Sequence, residues 1–174
     1  MGGTGRKISG LAFNASGTLY ADDWDNDHLG TLNPSTGAYA NIGASLQNIN
    51  EHGVLAFSNG VLYEAMGPNS NMLASLNLAS GAATQIGSTN NLYLNMNLFD
   101  AQNGLYGIGA DNNLYSINTG DATLTNLGAI TGSNLPTLFT AAVAAPTSDA
   151  PEPATLGLFA IGGLALRWRG KRSR

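Results

Sequence analysis

The chain repeats itself every 43 residues, and that period restricts the fold more than any other feature. Leu-Tyr pairs end at Tyr20, Tyr63 and Tyr106, at spacings of 43 and 43. Asn33, Asn77 and Asn118 are each followed ten residues later by a glycine that closes an Ile-Gly or Leu-Gly pair, at Gly43, Gly87 and Gly128. Each repeat unit cannot bury its apolar face alone, so stacked neighbours must build one continuous core. Within the first unit the apolar stretches Leu11-Ala12-Phe13, Thr18–Ala21, Leu29–Leu32 and Ala38–Ile42 are separated by Asn14-Ala15-Ser16-Gly17, Asp25-Asn26-Asp27 and Asn33-Pro34-Ser35-Thr36-Gly37. Small turn-forming residues every eight to ten positions predict short strands and exclude a helical solenoid.

Four strands in about 43 residues is the size of one propeller blade. The expected fold is therefore all-β, with three propeller-like four-stranded antiparallel repeats in units of about 8–45, 51–89 and 95–131. Residues 135–144 read as a partial fourth unit, and 145–150 as a linker around Pro146. Leu11, Phe13, Leu19, Leu55, Phe57, Leu62, Leu98, Leu105 and Ile117 are expected in the core. No Trp-Asp or Gly-His signature recurs from unit to unit, so none places the units in a named propeller family. A closed propeller takes at least four blades, and the Met1–Lys7 start is not followed by an apolar segment long enough for a signal peptide. Both features are expected if this is the C-terminal part of a longer gene product. The alternatives are a homodimer closing six blades or a flattened stack of three sheets.

Residues 151–174 have a different character. Pro151-Glu152-Pro153 comes first, then an apolar run from Ala154 to Leu166, then Arg167, Arg169, Lys171, Arg172 and Arg174. Pro153 lacks an N–H and fixes φ, which suits the first turn of a helix, and Glu152 sits where the helix dipole favours an anion. Leu156, Leu158, Phe159, Ile161, Leu164 and Leu166 give that helix no polar stripe, so it reads as a membrane helix. At ~1.5 Å per residue, the twelve residues Thr155–Leu166 reach about 18 Å of a ~30 Å hydrocarbon core. Trp168 at the interface and snorkelling arginines extend the usable span. The basic cluster is expected to act as a stop-transfer signal and stay cytoplasmic, leaving everything N-terminal to the helix on the outer side.

Pro-Glu-Pro, a membrane helix and an arginine-rich end, in that order, resemble the PEP-CTERM sorting signal of Gram-negative bacteria. The resemblance covers about 24 of the 174 residues. It implies export, anchoring in the inner membrane, recognition by an exosortase-type transpeptidase and cleavage near Pro151, Glu152 and Pro153. It also implies a final location at the cell surface or outside, and an association with exopolysaccharide and biofilm.

Charge narrows the body's partners. Ten of the eleven acidic residues and none of the Lys or Arg residues lie between Ile8 and Ala150. Such a body is repelled by phosphate backbones, which argues against nucleic acid. With no cysteine the body has neither disulfides nor thiolate chemistry. Asp23, Asp25 and Asp27 alternate like the opening of a calcium loop, although His28 and Pro34 stand where an EF-hand places Gly and Glu. This spacing suggests a weak surface Ca²⁺ site, and the competing reading is an acidic hairpin loop. Trp24, off the repeat and beside these acids, is a candidate ligand contact, for instance stacking on a sugar. His28 and His52 occupy different repeat positions and form no shared acid–base or zinc centre. The recurring tyrosines read as packing.

The functional expectation is an exported, non-catalytic surface or matrix protein whose body binds polysaccharide or protein. The alternatives are a secreted propeller enzyme of the lyase or lactonase type, or a fragment of a longer propeller protein. An enzyme of that type needs ligands from several blades at matching positions, and the acids here cluster in one loop of one unit.

Overall fold

Strong turn chemistry and short apolar runs produce a purely antiparallel architecture. The computed structural model describes residues 5–43, 53–67, 70–90, 94 and 97–131. The partial fourth unit, the linker, His52 and the whole 151–174 segment, with the membrane helix expected there, lie outside the described residues. Among the described residues no helix is long and apolar enough to cross a membrane.

The first sheet is a meander of β1 (Ile8–Phe13), β2 (Leu19–Asp23), β3 (His28–Leu32) and β4 (Tyr39–Asn41). The second contains β5 (Val54–Ser58), β6 (Val61–Ala65), β7 (Met72–Leu76) and β8 (Ala83–Ser88). The third contains β9 (Leu98–Ala101), β10 (Gly104–Ile108), β11 (Asn113–Ile117) and β12 (Leu124–Ala129). Every neighbouring pair is antiparallel, and the register repeats: Tyr20 faces Thr31, Tyr63 faces Ser75 and Tyr106 faces Ser116.

The repeated asparagine explains the turn between the third and fourth strands. Asn33 Oδ1 accepts hydrogen bonds from the Ser35 and Thr36 N–H groups at 2.9 and 3.1 Å, and Asn77 Oδ1 from Ala79 and Ser80 at the same distances. Asn118 Oδ1 accepts from Gly120 at 2.9 Å. Each asparagine carbonyl then accepts from the residue four positions on, which is Gly37, Gly81 or Ala122, at 2.8 Å. These residues are left-handed, with φ of 74, 74 and 63°. Ala122 carries the left-handed strain with its methyl buried in the core, where it is 0% exposed. That methyl gains about 0.8 kcal/mol by burial, against a cost of roughly 1–2 kcal/mol for the conformation. Gly37→Ala meets the cost alone, so it is expected to destabilise by about 1 kcal/mol, read as a lower urea midpoint.

Two layers of core separate the three sheets. Tyr20, Leu29, Leu55, Leu62 and Leu76 fill the space between the first and second. Val54, Tyr63, Leu73, Leu98, Leu105 and Ile117 are among those filling the space between the second and third. The edge-on contact of Tyr20 with Phe57, ring centroids 5.4 Å apart, spans the first joint. Gly10 allows β1 and β5 to approach, because a Cβ there would fall 2.9 Å from the Leu55 backbone nitrogen.

Two expected core residues are corrected. Leu11 and Phe13 are 51% and 57% exposed. They alternate with Gly10 and Ala12 along β1, so they point to the face of the first sheet away from the second. Their counterparts Leu55 and Phe57 point into the joint between sheets.

Candidate functional site

Polar side chains concentrate at one end of the first sheet and in its joint with the second. In β2, Tyr20 faces the second sheet, and strand alternation turns Asp22 the same way. In β6, Leu62 faces the first sheet, and Glu64 follows it by the same rule. Two carboxyls are thus placed in one joint, Asp22 at 2% and Glu64 at 1% exposure. The Ser9 hydroxyl donates to Asp22 Oδ2. Gly53 gives Glu64 room and a backbone hydrogen bond, since a Cβ at position 53 would lie 2.4 Å from Glu64 Cγ. Glu64 Oε2 has no hydrogen-bond partner among the described residues.

Burial pushes the Glu64 carboxyl well above the usual carboxylate range, and the like charges of Asp22 and Asp27 push it further. The Gly53 amide works against them and does not reverse the direction. Glu64 therefore holds its proton to higher pH than an exposed glutamate. Sequence reasoning missed this residue. A signal was present, because Glu64 occupies a repeat position filled by Ala21 in the first unit and Gly107 in the third.

The Asp23–Asp27 turn joins β2 to β3. Asp23 is fully buried and its carboxylate is used by its own surroundings. It accepts from the Asp25 N–H at 3.1 Å and from Asn26 Nδ2 at 2.8 Å, and it pairs with Arg6 Nη1 at 2.6 Å. Its carbonyl accepts from the Asp27 N–H at 2.9 Å, and Asp27 ends the turn at φ 53°. Asp25 lies 3.5 Å from Lys7 Nζ in an exposed pair, an arrangement that contributes little. The structure thus brings the three aspartates into one turn, with Asp23 engaged by Arg6. Among the described residues no three His, Cys, Asp or Glu side chains are placed to hold a metal ion. The calcium expectation rests on spacing alone. Trp24 is 43% exposed, and its backbone N–H donates to the Lys7 carbonyl at 2.8 Å.

Arg6 was another residue that sequence reasoning missed. Its guanidinium lies 5.5 Å from the centre of the Tyr39 ring as well as on Asp23. Tyr39 in turn donates to the His28 carbonyl at 2.8 Å and covers Gly30, where a Cβ would fall 2.2 Å from the ring. Burial raises the Tyr39 hydroxyl to about 12, helped by the fields of Asp23 and Asp22 and opposed by Arg6. The phenol is therefore a fixed hydrogen-bond donor across the physiological range.

The comparisons agree with this architecture. The chain is similar to virginiamycin B lyase from Staphylococcus aureus, at 13% identity and TM-score 0.53, over 73% of this chain and 42% of that one. It is also similar to the PQQ-bound aldose sugar dehydrogenase of Streptomyces coelicolor, at 12% identity and TM-score 0.50, over 66% and 46%. The chain spans less than half the length of these solved structures. The structural neighbours are β-propeller proteins, and at such identity the likeness concerns the fold alone: the body is propeller-like.

Residues 149–172 match the family model of the PEP-CTERM protein-sorting motif. That motif implies exosortase-dependent export, with membrane anchoring before processing. No curated protein matches the chain.

Proposed function

We propose that this is a non-catalytic protein of the bacterial cell surface or extracellular matrix, whose propeller-like body binds exopolysaccharide or protein after processing of the tail. The observation that carries the reading is the sorting motif at residues 149–172 behind a repeat body. Trp24, Asp25 and Asn26 are exposed off the repeat in the Asp23–Asp27 turn, and they supply the contact surface. A catalytic reading of the buried acids meets two obstacles. Substrate does not reach Glu64 at 1% exposure. The acids also fall at unmatched repeat positions, where Asp22 corresponds to Ala65 and Ile108.

The test compares the full chain in a host with and without its exosortase. The expected result is membrane-retained precursor in both hosts. Loss of mass at Pro151–Pro153, with release into the exopolysaccharide fraction, is expected only when the enzyme is present. Replacing Pro151, Glu152 and Pro153 with alanine should abolish processing. Release at unchanged mass, independent of the enzyme, contradicts the sorting part. Processed protein absent from the exopolysaccharide fraction contradicts the matrix part.

A further inference from the structure

One device joins each sheet to the next. In β8 the register shifts so that Ile86 is an extra residue, with Gly87 opposite Leu73 and Gln85 opposite Ala74. Ile86 packs into the second joint, and a Cβ on Gly87 would lie 2.2 Å from the Asp121 carbonyl oxygen in the turn of the third sheet. Ile42 and Gly43, just past β4, make the same contacts at the first joint, where Ile42 packs into the core and a Cβ on Gly43 would lie 2.2 Å from the Ser80 carbonyl oxygen. The third sheet has the same bulge, with Leu127 as the extra residue. There Leu127 is 52% exposed, and a Cβ on Gly128 would meet no described atom within 4 Å.

The receiving half of the device is unused at the opposite end. Leu55 and Leu98 are 4% and 7% exposed, whereas Leu11 at the same repeat position is 51% exposed. Thr36 occupies the turn position of Ser80 and Asp121. The outer faces of the third and first sheets are therefore the two complementary halves of one joint that the chain already forms twice.

We propose that a second copy of this chain fills both faces: the third sheet of each copy docks on the first sheet of the other. The continuity of these faces with the two joints inside the chain identifies the occupant: Leu11, Phe13 and Leu19 recur at the offsets of Leu55, Phe57 and Leu62, while Tyr39, with Arg6 against its ring, stands where Ala83 lies in the first joint. The new joint also lacks the buried carboxyl pair of the first one, and the Asp23 carboxylate on its face is paired with Arg6. Where that joint places Asp22 and Glu64, the new one places Ile108 and Ala21. Head-to-tail interfaces close into rings when the rotation permits, and two three-sheet chains give six sheets, within the four to eight of propellers.

Because the chain lacks cysteine, single cysteines report on contacts without ambiguity. Full-length Thr36→Cys and Leu127→Cys variants, in mild detergent, are treated with a short bismaleimide separately and then mixed. The mixture is expected to give a cross-linked pair, and each variant alone is expected to give none. In a second arm, Phe13→Asp is introduced into the Leu127→Cys chain and Leu127→Arg into the Thr36→Cys chain. Both sites are exposed, so folding is retained and is checked by circular dichroism. Each altered chain is left with one intact half, and the halves are complementary, so the mixed pair still cross-links. Moving Phe13→Asp to the Thr36→Cys chain removes the link. No link between chains in the first mixture overturns the proposal, as does a link formed by either variant alone, which would mean like faces meet.

Discussion

Gly87→Ala is expected to destabilise the repeat body by about 3 kcal/mol, at the top of the range for overpacking. The new methyl would lie 2.2 Å from the Asp121 carbonyl oxygen, 2.9 Å from its carbon and 3.1 Å from Ala122 Cβ. The opposing atoms are backbone, so no rotamer change relieves the contact. The turn that carries them is fixed by the Asn118 carbonyl and side chain. Relief therefore requires the second and third sheets to separate, which loosens the core around Leu73, Leu105 and Ile117. In a domain of this size the loss lowers Tm by roughly 10 °C. Gly17→Ala serves as the comparison, because its φ is +82° and a Cβ there meets nothing within 4 Å. That variant carries only the left-handed cost of about 1–2 kcal/mol. Equal losses at the two positions would mean the sheets do not meet at Gly87.

Glu64→Gln is expected to stabilise the protein at pH 8 by about 1–3 kcal/mol, the usual penalty for a buried group without full satisfaction. The advantage should fade toward pH 4. The sign follows from proton binding. The unfolded glutamate titrates near 4.5 and the folded one well above it. Between those values the native state binds the extra proton, so its contribution is fully present below the unfolded value and is lost as pH rises through the folded one. Glutamine cannot ionise, keeps an oxygen for the Gly53 amide and removes that slope. Exposed carboxylates contribute equally to both proteins, so the informative quantity is the difference between the two urea midpoints across pH. Parallel curves for the two proteins would show that Glu64 is solvated rather than shut in the joint.

What the sequence displays is governed by how local its cause is. The four-strand unit was legible because Leu-Tyr pairs, asparagine turns and closing glycines each act within one sheet. Thr18–Ala21 was the expected second strand and Leu19–Asp23 is the observed one. The glycines at 43, 87 and 128 were visible as a fixed offset, but the cause at Gly43 and Gly87 lies in the turn of the next sheet, some 35 residues away. Leu11 and Phe13 were misplaced because a repeat pattern assigns every unit the same surroundings, and an end sheet has a neighbour on one side only.

The aspartate spacing was ambiguous for a chemical reason. An acid that accepts from the amide two residues on serves a turn and a calcium loop alike. Arg6, seventeen residues from Asp23, pairs with that carboxylate, a contact that spacing does not encode. Glu64 was hidden by its apolar neighbours, and only its departure from the small residues at matching positions marked it. The tail was the reverse case. Its three ordered elements are contiguous, and the match at 149–172 coincides with them.

The stacking of successive 43-residue units through glycines is the central structural claim, and proton–proton contacts in a nuclear Overhauser spectrum test it most directly. Strong cross-peaks are expected from Gly10 Hα to the Leu55 amide and from Gly87 Hα to the Ala122 methyl, each spanning two sheets. Peaks within sheets are also expected between the Leu105 and Ile117 strands, whose register is fixed by hydrogen bonding. Peaks within sheets at normal intensity, without the Gly10–Leu55 and Gly87–Ala122 pairs, would show that the units form but do not stack in this way.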